Sequence, residues 1–139
     1  VSGPDARSLA TRFAARLDAD DFAGLEPMLA AGCAYETGRG TLTGPQAILG
    51  SYREASERAR RLFDAVRYDS EVIEAGDGFA VIQFRDHLEV RGRTHVYRCR
   101  QRVTFGGDGT VTRIEHGELP GEREQLTAFC RDAGVELGA

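Results

Sequence analysis

The order of hydrophobic patterns along the chain predicts an α+β domain, with helices covering one face of a curved antiparallel sheet. Three observations carry this expectation. Up to Phe63 the apolar residues fall at helical spacing. From residue 66 to 119 they alternate with polar residues in four successive runs. The links between those runs, "GDG", "RG" and "GGDG", have hairpin chemistry.

The elements follow in order. In "DARSLATRFAARLDADD", Leu9, Phe13 and Leu17 stand at steps of four among Arg and Asp, which is an amphipathic helix. Asp20 or Asp21 is placed to cap a second short helix carrying Phe22, Leu25 and Leu29. Residues 33–37 read as a short strand, and the Gly-rich "GRGTLTG" after them as a loop. Thr43-Gly-Pro-Gln46 has capping-box spacing and tolerates Pro45 in a first turn, so it opens a helix running to about Phe63. Ile48, Tyr52, Ala55, Ala59 and Leu62 form the apolar stripe of that helix, while Arg58, Arg60 and Arg61 suit the negative end of its dipole. Strands over 66–75, 79–90, 93–105 and 110–119 come next. Pro120 then starts, and Gly134 stops, a last helix with Leu126, Phe129 and Cys130 on one side.

A chain of 139 residues suits one domain, 1–139, with one core. Apolar residues at 41% and charged residues at 29% exclude disorder, and a net charge of −4 gives no reason to bind nucleic acid or an anionic membrane. No apolar run approaches the roughly 20 residues of a membrane helix, and no signal-peptide pattern is present. Cys33, Cys99 and Cys130 are odd in number and widely spaced, as expected of reduced, buried thiols in a cytoplasmic protein.

The turns set the strand registers. A two-residue turn at Arg91-Gly92 pairs Asp86 with Tyr97 and Phe84 with Cys99. A three-residue link at Gly76 to Gly78 pairs Tyr68 with Asp86. A four-residue loop at Gly106 to Gly109 pairs Cys99 with His116. One face then carries Ile82, Phe84, Leu88, Val103 and Ile114, together with Tyr68, Asp86, His95, Tyr97, Cys99 and His116. The other collects Arg85, Arg98, Arg100 and Arg102 among Asp69, Glu71 and Glu115. Asp86 thus points at the helices from an apolar register. A carboxylate there is costly unless it is hydrogen-bonded or neutralised. Either a polar cluster fixes the core, or the acid, two tyrosines and histidines line a ligand-sized cavity.

The outer arginine stripe has acidic partners across the strands and no interleaved aromatics, so it reads as a solvated or dimer-facing surface. His95, His116 and Asp86 match no metal signature, "GGDG" precedes no helix that could hold phosphate, and a Cys99–His116 pair lacks a third group. No metal or cofactor is expected.

"FAARLDADDFAGLEPML", "CAYETGRGTLTGPQAI" and "FGGDGTVTRIEH" resemble the nuclear-transport-factor-2-like superfamily over about residues 6–119, leaving a helical extension over about 120–134. SnoaL-like polyketide cyclases, ketosteroid isomerase, scytalone dehydratase and limonene-epoxide hydrolase share this resemblance. It implies a cone-shaped α+β barrel with an apolar pocket for a small apolar or polycyclic molecule, and a homodimer paired through the outer sheet face. It implies an isomerase, cyclase, dehydratase or hydrolase; the alternative is a non-catalytic ligand-binding or dimerisation module. By likeness to ketosteroid isomerase, a worked case for carboxyl tuning, Glu36 falls near the base position. Glu36 or His116 would be general base, and Asp86 with Tyr68 or Tyr97 would donate to an oxyanion. His95 and Cys99 would complete the binding surface.

Overall fold

The computed structural model describes residues 5–137. Helix α1 (Ala6–Asp18) opens on Asp5, whose carboxylate accepts the Ser8 N–H at 2.8 Å, and it buries Leu9, Ala10, Phe13 and Ala14. Asp20 then turns the chain at φ 54, and Asp21 caps the short α2 (Phe22–Leu25) by accepting the Gly24 N–H at 2.9 Å. Leu29 does not extend that helix. A 3₁₀ turn, Glu26–Met28, carries Pro27, and Leu29 becomes the first residue of β1 (Leu29–Thr37).

The Gly-rich segment is not only a loop. Its end forms β2 (Gly40–Thr43), which folds back on β1 with Tyr35 opposite Leu42 and Glu36 opposite Thr41. Thr43 is engaged in this ladder opposite Ala34, so the expected capping box does not form. Gly44 takes the N-cap of α3 (Pro45–Leu62) at φ 92 without a side-chain cap, and Gln46 bonds Glu26 instead.

Strands β3 (Ala65–Gly76), β4 (Phe79–Val90), β5 (Arg93–Phe105) and β6 (Val111–Glu118) form the meander. The β4–β5 register pairs Asp86 with Tyr97 and Phe84 with Cys99, as the Arg91-Gly92 turn requires. Tyr68 lies opposite Asp86, but by a different route from the one expected. The link to β4 starts one residue later, with Gly76 opposite Phe79, and an irregularity between Val72 and Glu74 returns the offset. In β5–β6, His116 pairs with Gln101 and Cys99 with Glu118. The expected Cys99–His116 pair is thus shifted by two residues, which preserves the face because side chains alternate at period two. Glu115 correspondingly lies opposite Arg102 rather than Arg100.

The six strands run in the order β2-β1-β6-β5-β4-β3. The sheet is mixed rather than wholly antiparallel, because β1 runs parallel to β6, and it stays open between β2 and β3. Helices α1 and α3 pack on one part of the inner face around Phe13, Ile48, Ile82, Val103 and Ile114. Helix α4 (Glu122–Ala133) covers the rest, with Leu126 and Cys130 against Leu88, Val90, Tyr97 and Phe63. Gly134 ends α4 at φ 75, and the Val135 N–H returns to the Cys130 carbonyl at 2.7 Å. No helix among the described residues is long and apolar enough to cross a membrane.

Candidate functional site

Between the α1–α2 turn, α3 and the inner sheet face lies a cavity of about 200 Å³. Leu17, Phe22, Ala55, Ala59 and Phe84 supply apolar wall. Asp86 faces this space from the middle of β4. The position follows from its register: Phe84 and Leu88, two residues either way, are buried on the same side. Among the described residues no hydrogen bond reaches its carboxyl. Burial pushes its pKa up to about 7, and the nearby Asp18 carboxylate adds to the shift.

Tyr68 does not serve Asp86. The Ser56 hydroxyl donates to Asp20 at 2.8 Å and lies 3.0 Å from the Tyr68 hydroxyl. Ser56 has one proton and spends it on Asp20, so Tyr68 donates to Ser56. Arg60 Nε and Nη2 also reach Asp20, at 3.2 and 3.1 Å. This group ties the α1–α2 turn to α3 and β3 at the edge of the cavity. Asp18, on the same wall, accepts the Ser70 hydroxyl at 2.6 Å while its Oδ1 is buried without a partner; burial raises its pKa.

A second polar group stands on the opposite wall. Gln101, only 4% exposed, accepts the Tyr52 hydroxyl at Oε1 (2.8 Å). Its Nε2 lies 3.2 Å from the Tyr35 hydroxyl and 3.3 Å from His116 Nδ1. The Tyr35 and Tyr52 rings stack with centroids 5.2 Å apart. Burial lowers the pKa of His116 and raises those of Tyr35, to about 12, and Tyr52. All three are uncharged near neutral pH. Cys99 completes this side, its thiol pushed up to about 12 by burial first and then by Asp86, which makes it an inert wall.

Of the residues expected in the site, Asp86, His116, Tyr68 and Cys99 are brought together around this cavity. Glu36, His95 and Tyr97 are not. Tyr35 faces inward, so its neighbour Glu36 lies on the outer face, ion-paired with Arg113. His95 lies under α4, its ring stacked on Phe129 at 5.0 Å, and burial lowers its pKa. Tyr97 is also under α4, with its hydroxyl 3.4 Å from Glu118. Among the described residues no group of three His, Cys, Asp or Glu side chains is arranged to hold a metal ion.

Tyr35, Tyr52, Gln101, Asp18 and Ser56 are the wall residues that sequence reasoning missed. Gln101 had a signal: it sits between Cys99 and Val103 in the same inward parity. Tyr52 lay on the apolar stripe of α3 and read as core. Asp18 and Ser56 come from segments whose approach to the sheet only the tertiary fold shows.

No family model matches the chain, and no curated protein matches it by sequence. Solved structures do match. A provisionally named polyketide cyclase from Pseudomonas putida KT2440 aligns with a TM-score of 0.63 at 17% identity, over 88% of this chain and 98% of the other. A second protein with the same provisional name, from Xanthomonas campestris pv. campestris, gives 0.67 at 16% identity, over 88% and 94%. A designed nuclear-transport-factor-2-like protein with a long sheet gives 0.59 at 18% identity, over 81% and 99%. The fold is nuclear-transport-factor-2-like. At these identities the likeness establishes that fold, and chemistry must be argued from side chains. In this chain the ionisable groups Asp18, Asp86 and His116 line one cavity, while Glu36 and His95 stand outside it.

Proposed function

We propose that the cavity binds a small, mainly apolar molecule and acts on it by proton transfer, with Asp86 as the acid–base group. The observation that carries this reading is a half-buried carboxyl facing a cavity, with no hydrogen-bond partner among the described residues, whose pKa desolvation raises to about 7. A core strut needs partners, and the tyrosines that would provide them are committed to Ser56 and Glu118. A proton-transfer group works best when its pKa lies near the working pH, and near neutrality Asp86 populates both forms. Ionised, it takes a proton from the ligand; protonated, it returns one. The polyketide cyclase name carried by two matched structures supports a small-molecule substrate.

Size narrows the occupant. A cavity of roughly 150 Å³ holds a benzene ring, whereas drug-sized ligands occupy about 300–1,000 Å³. At about 200 Å³ the space accepts one ring, or one ring of a larger molecule whose remainder lies in the mouth. A metabolite screen by thermal shift, followed by turnover assays on the hits, tests the proposal. Turnover that vanishes in Asp86→Asn while binding persists is the expected result. Asp86 titrating near the ordinary value of about 4 by NMR would remove the acid–base group and leave a binding protein.

A further inference from the structure

We infer that Gln101 is a positioning residue which holds His116 as the neutral tautomer protonated on Nε2, so that His116 offers the cavity a hydrogen-bond donor and Asp86 is its proton acceptor. The inference rests on the reading of the cavity as a binding site, but its geometry stands apart from any activity.

The argument is a valence count on one buried amide. Gln101 has three polar neighbours: Tyr52 on one side of the amide, Tyr35 and His116 on the other. A primary amide carries two N–H donors and one carbonyl acceptor. With Nε2 toward Tyr35 and His116, both N–H groups find acceptors and Oε1 receives the Tyr52 proton. No group of the amide is left over. With the amide reversed, Oε1 would accept from Tyr35 and from an Nδ1–H of His116, while Nε2 would have only the Tyr52 oxygen to bond. One N–H would then be stranded in a side chain that is 4% exposed. Leaving a buried donor unpaired is the costlier choice. The first orientation therefore prevails, and it requires His116 Nδ1 to carry a lone pair. In an uncharged imidazole the proton must then sit on Nε2.

The consequence concerns specificity. A His116 general base would have needed a free lone pair on the cavity side. Here the lone pair is turned into the wall and consumed by Gln101. The ligand atom that meets His116 is thus a hydrogen-bond acceptor, such as a carbonyl, ether or hydroxyl oxygen, and a group that can only donate, such as an ammonium, is rejected.

Imidazole ¹⁵N spectroscopy of the labelled protein, above the pKa of its histidines, reads the tautomer directly. The wild type should show a pyridine-type Nδ1 and a pyrrole-type Nε2 at His116. Gln101→Glu replaces the donor by a carboxylate and should move the proton onto Nδ1. Tyr52→Phe leaves Oε1 without its donor, but a reversed amide would then strand both N–H groups, so the His116 signals should stay in the Nε2–H form. A packing role for Gln101 would leave the tautomer unmoved by Gln101→Glu. A pyrrole-type Nδ1 in the wild type overturns the inference, as does a His116 tautomer indifferent to Gln101→Glu. Either outcome leaves the Asp86 titration, and with it the proposed acid–base function, to be judged on its own.

Discussion

Ionising Asp86 inside an apolar wall works against the fold, and the sign can be followed through pH. Its folded pKa of about 7 lies above the ordinary carboxyl value, so the native state binds the extra proton between those limits. The stability it contributes is fully present below about pH 4 and is lost as pH rises through about 7, on the order of 4 kcal/mol in all. His95 and His116 run the other way: both are held low by burial, so their contribution is present above about 6.5 and lost as pH falls. Asp86→Asn isolates the first trend. Its stability relative to wild type should rise by a few kcal/mol between about pH 4.5 and pH 8, measured by urea unfolding. A difference that stays flat across that range would contradict the raised pKa. Asp86→Leu should likewise leave the melting temperature unchanged or raised at neutral pH, because it removes a group held for function rather than for folding. Asp86 was legible in the sequence because one polar residue in an apolar period is conspicuous. Gln101 broke the same period in β5 and was passed over, and Glu36 was placed by likeness to another protein, although Tyr35 beside it takes the inward position.

At the scale of elements, Gly44 controls where α3 begins. Its φ of 92 with ψ of 151 lies in a region that is essentially reserved for glycine, although a Cβ would meet nothing closer than the Ala31 carbonyl oxygen at 3.8 Å. The cost of a side chain there is therefore backbone strain rather than collision. Gly44→Ala should destabilise by about 1–3 kcal/mol, and Gly44→Ser should not recover that loss despite being a good cap in ordinary geometry. Chemical denaturation of the two variants checks this; a Ser variant as stable as wild type would show that the turn can relax. Helix α4 offers a second test. Leu126 packs against the same cluster as Tyr97 and Leu88, away from the cavity. Leu126→Ala should cost about 2–5 kcal/mol while leaving the His116 and Asp86 resonances in place. The ends of β4 and β5 were legible because "RG" demands one turn. The path of β3 was not, since its irregularity at Val72 to Glu74 and the shorter turn that it offsets leave no net trace in the sequence.

For the whole molecule, the meander is local and the β1–β6 pairing is not. The two-residue turn at Arg91-Gly92 registers β4 on β5 by itself, while β5 and β6 pair two residues away from the register their loop predicts, and a parallel pair separated by α3 and four strands depends on how the sheet curves around the helices. The same curvature decides what the outer face can do. That face presents Val81 and Val96, with Ile73 38% exposed where the β3 ladder is irregular. Part of its charge is answered within the face, Asp69 by Arg85 at 2.6 Å and Arg113 by Glu36, whereas Arg100 meets only the neutral amide of Gln83 at 3.0 Å. Charges that already have partners cost less to bury than free ones, because burial leaves no uncompensated ion behind. The expected assembly is therefore a two-fold homodimer in which this face meets its own copy. Light scattering at micromolar concentration should give twice the chain mass. Val81→Glu should yield a monomer, since a two-fold contact places the new carboxylates of both copies in one interface, where they repel and lose water. Its own fold should persist, because Val81 points away from both core clusters. Wild-type protein that scatters as a monomer under the same conditions would show that the outer face belongs to solvent.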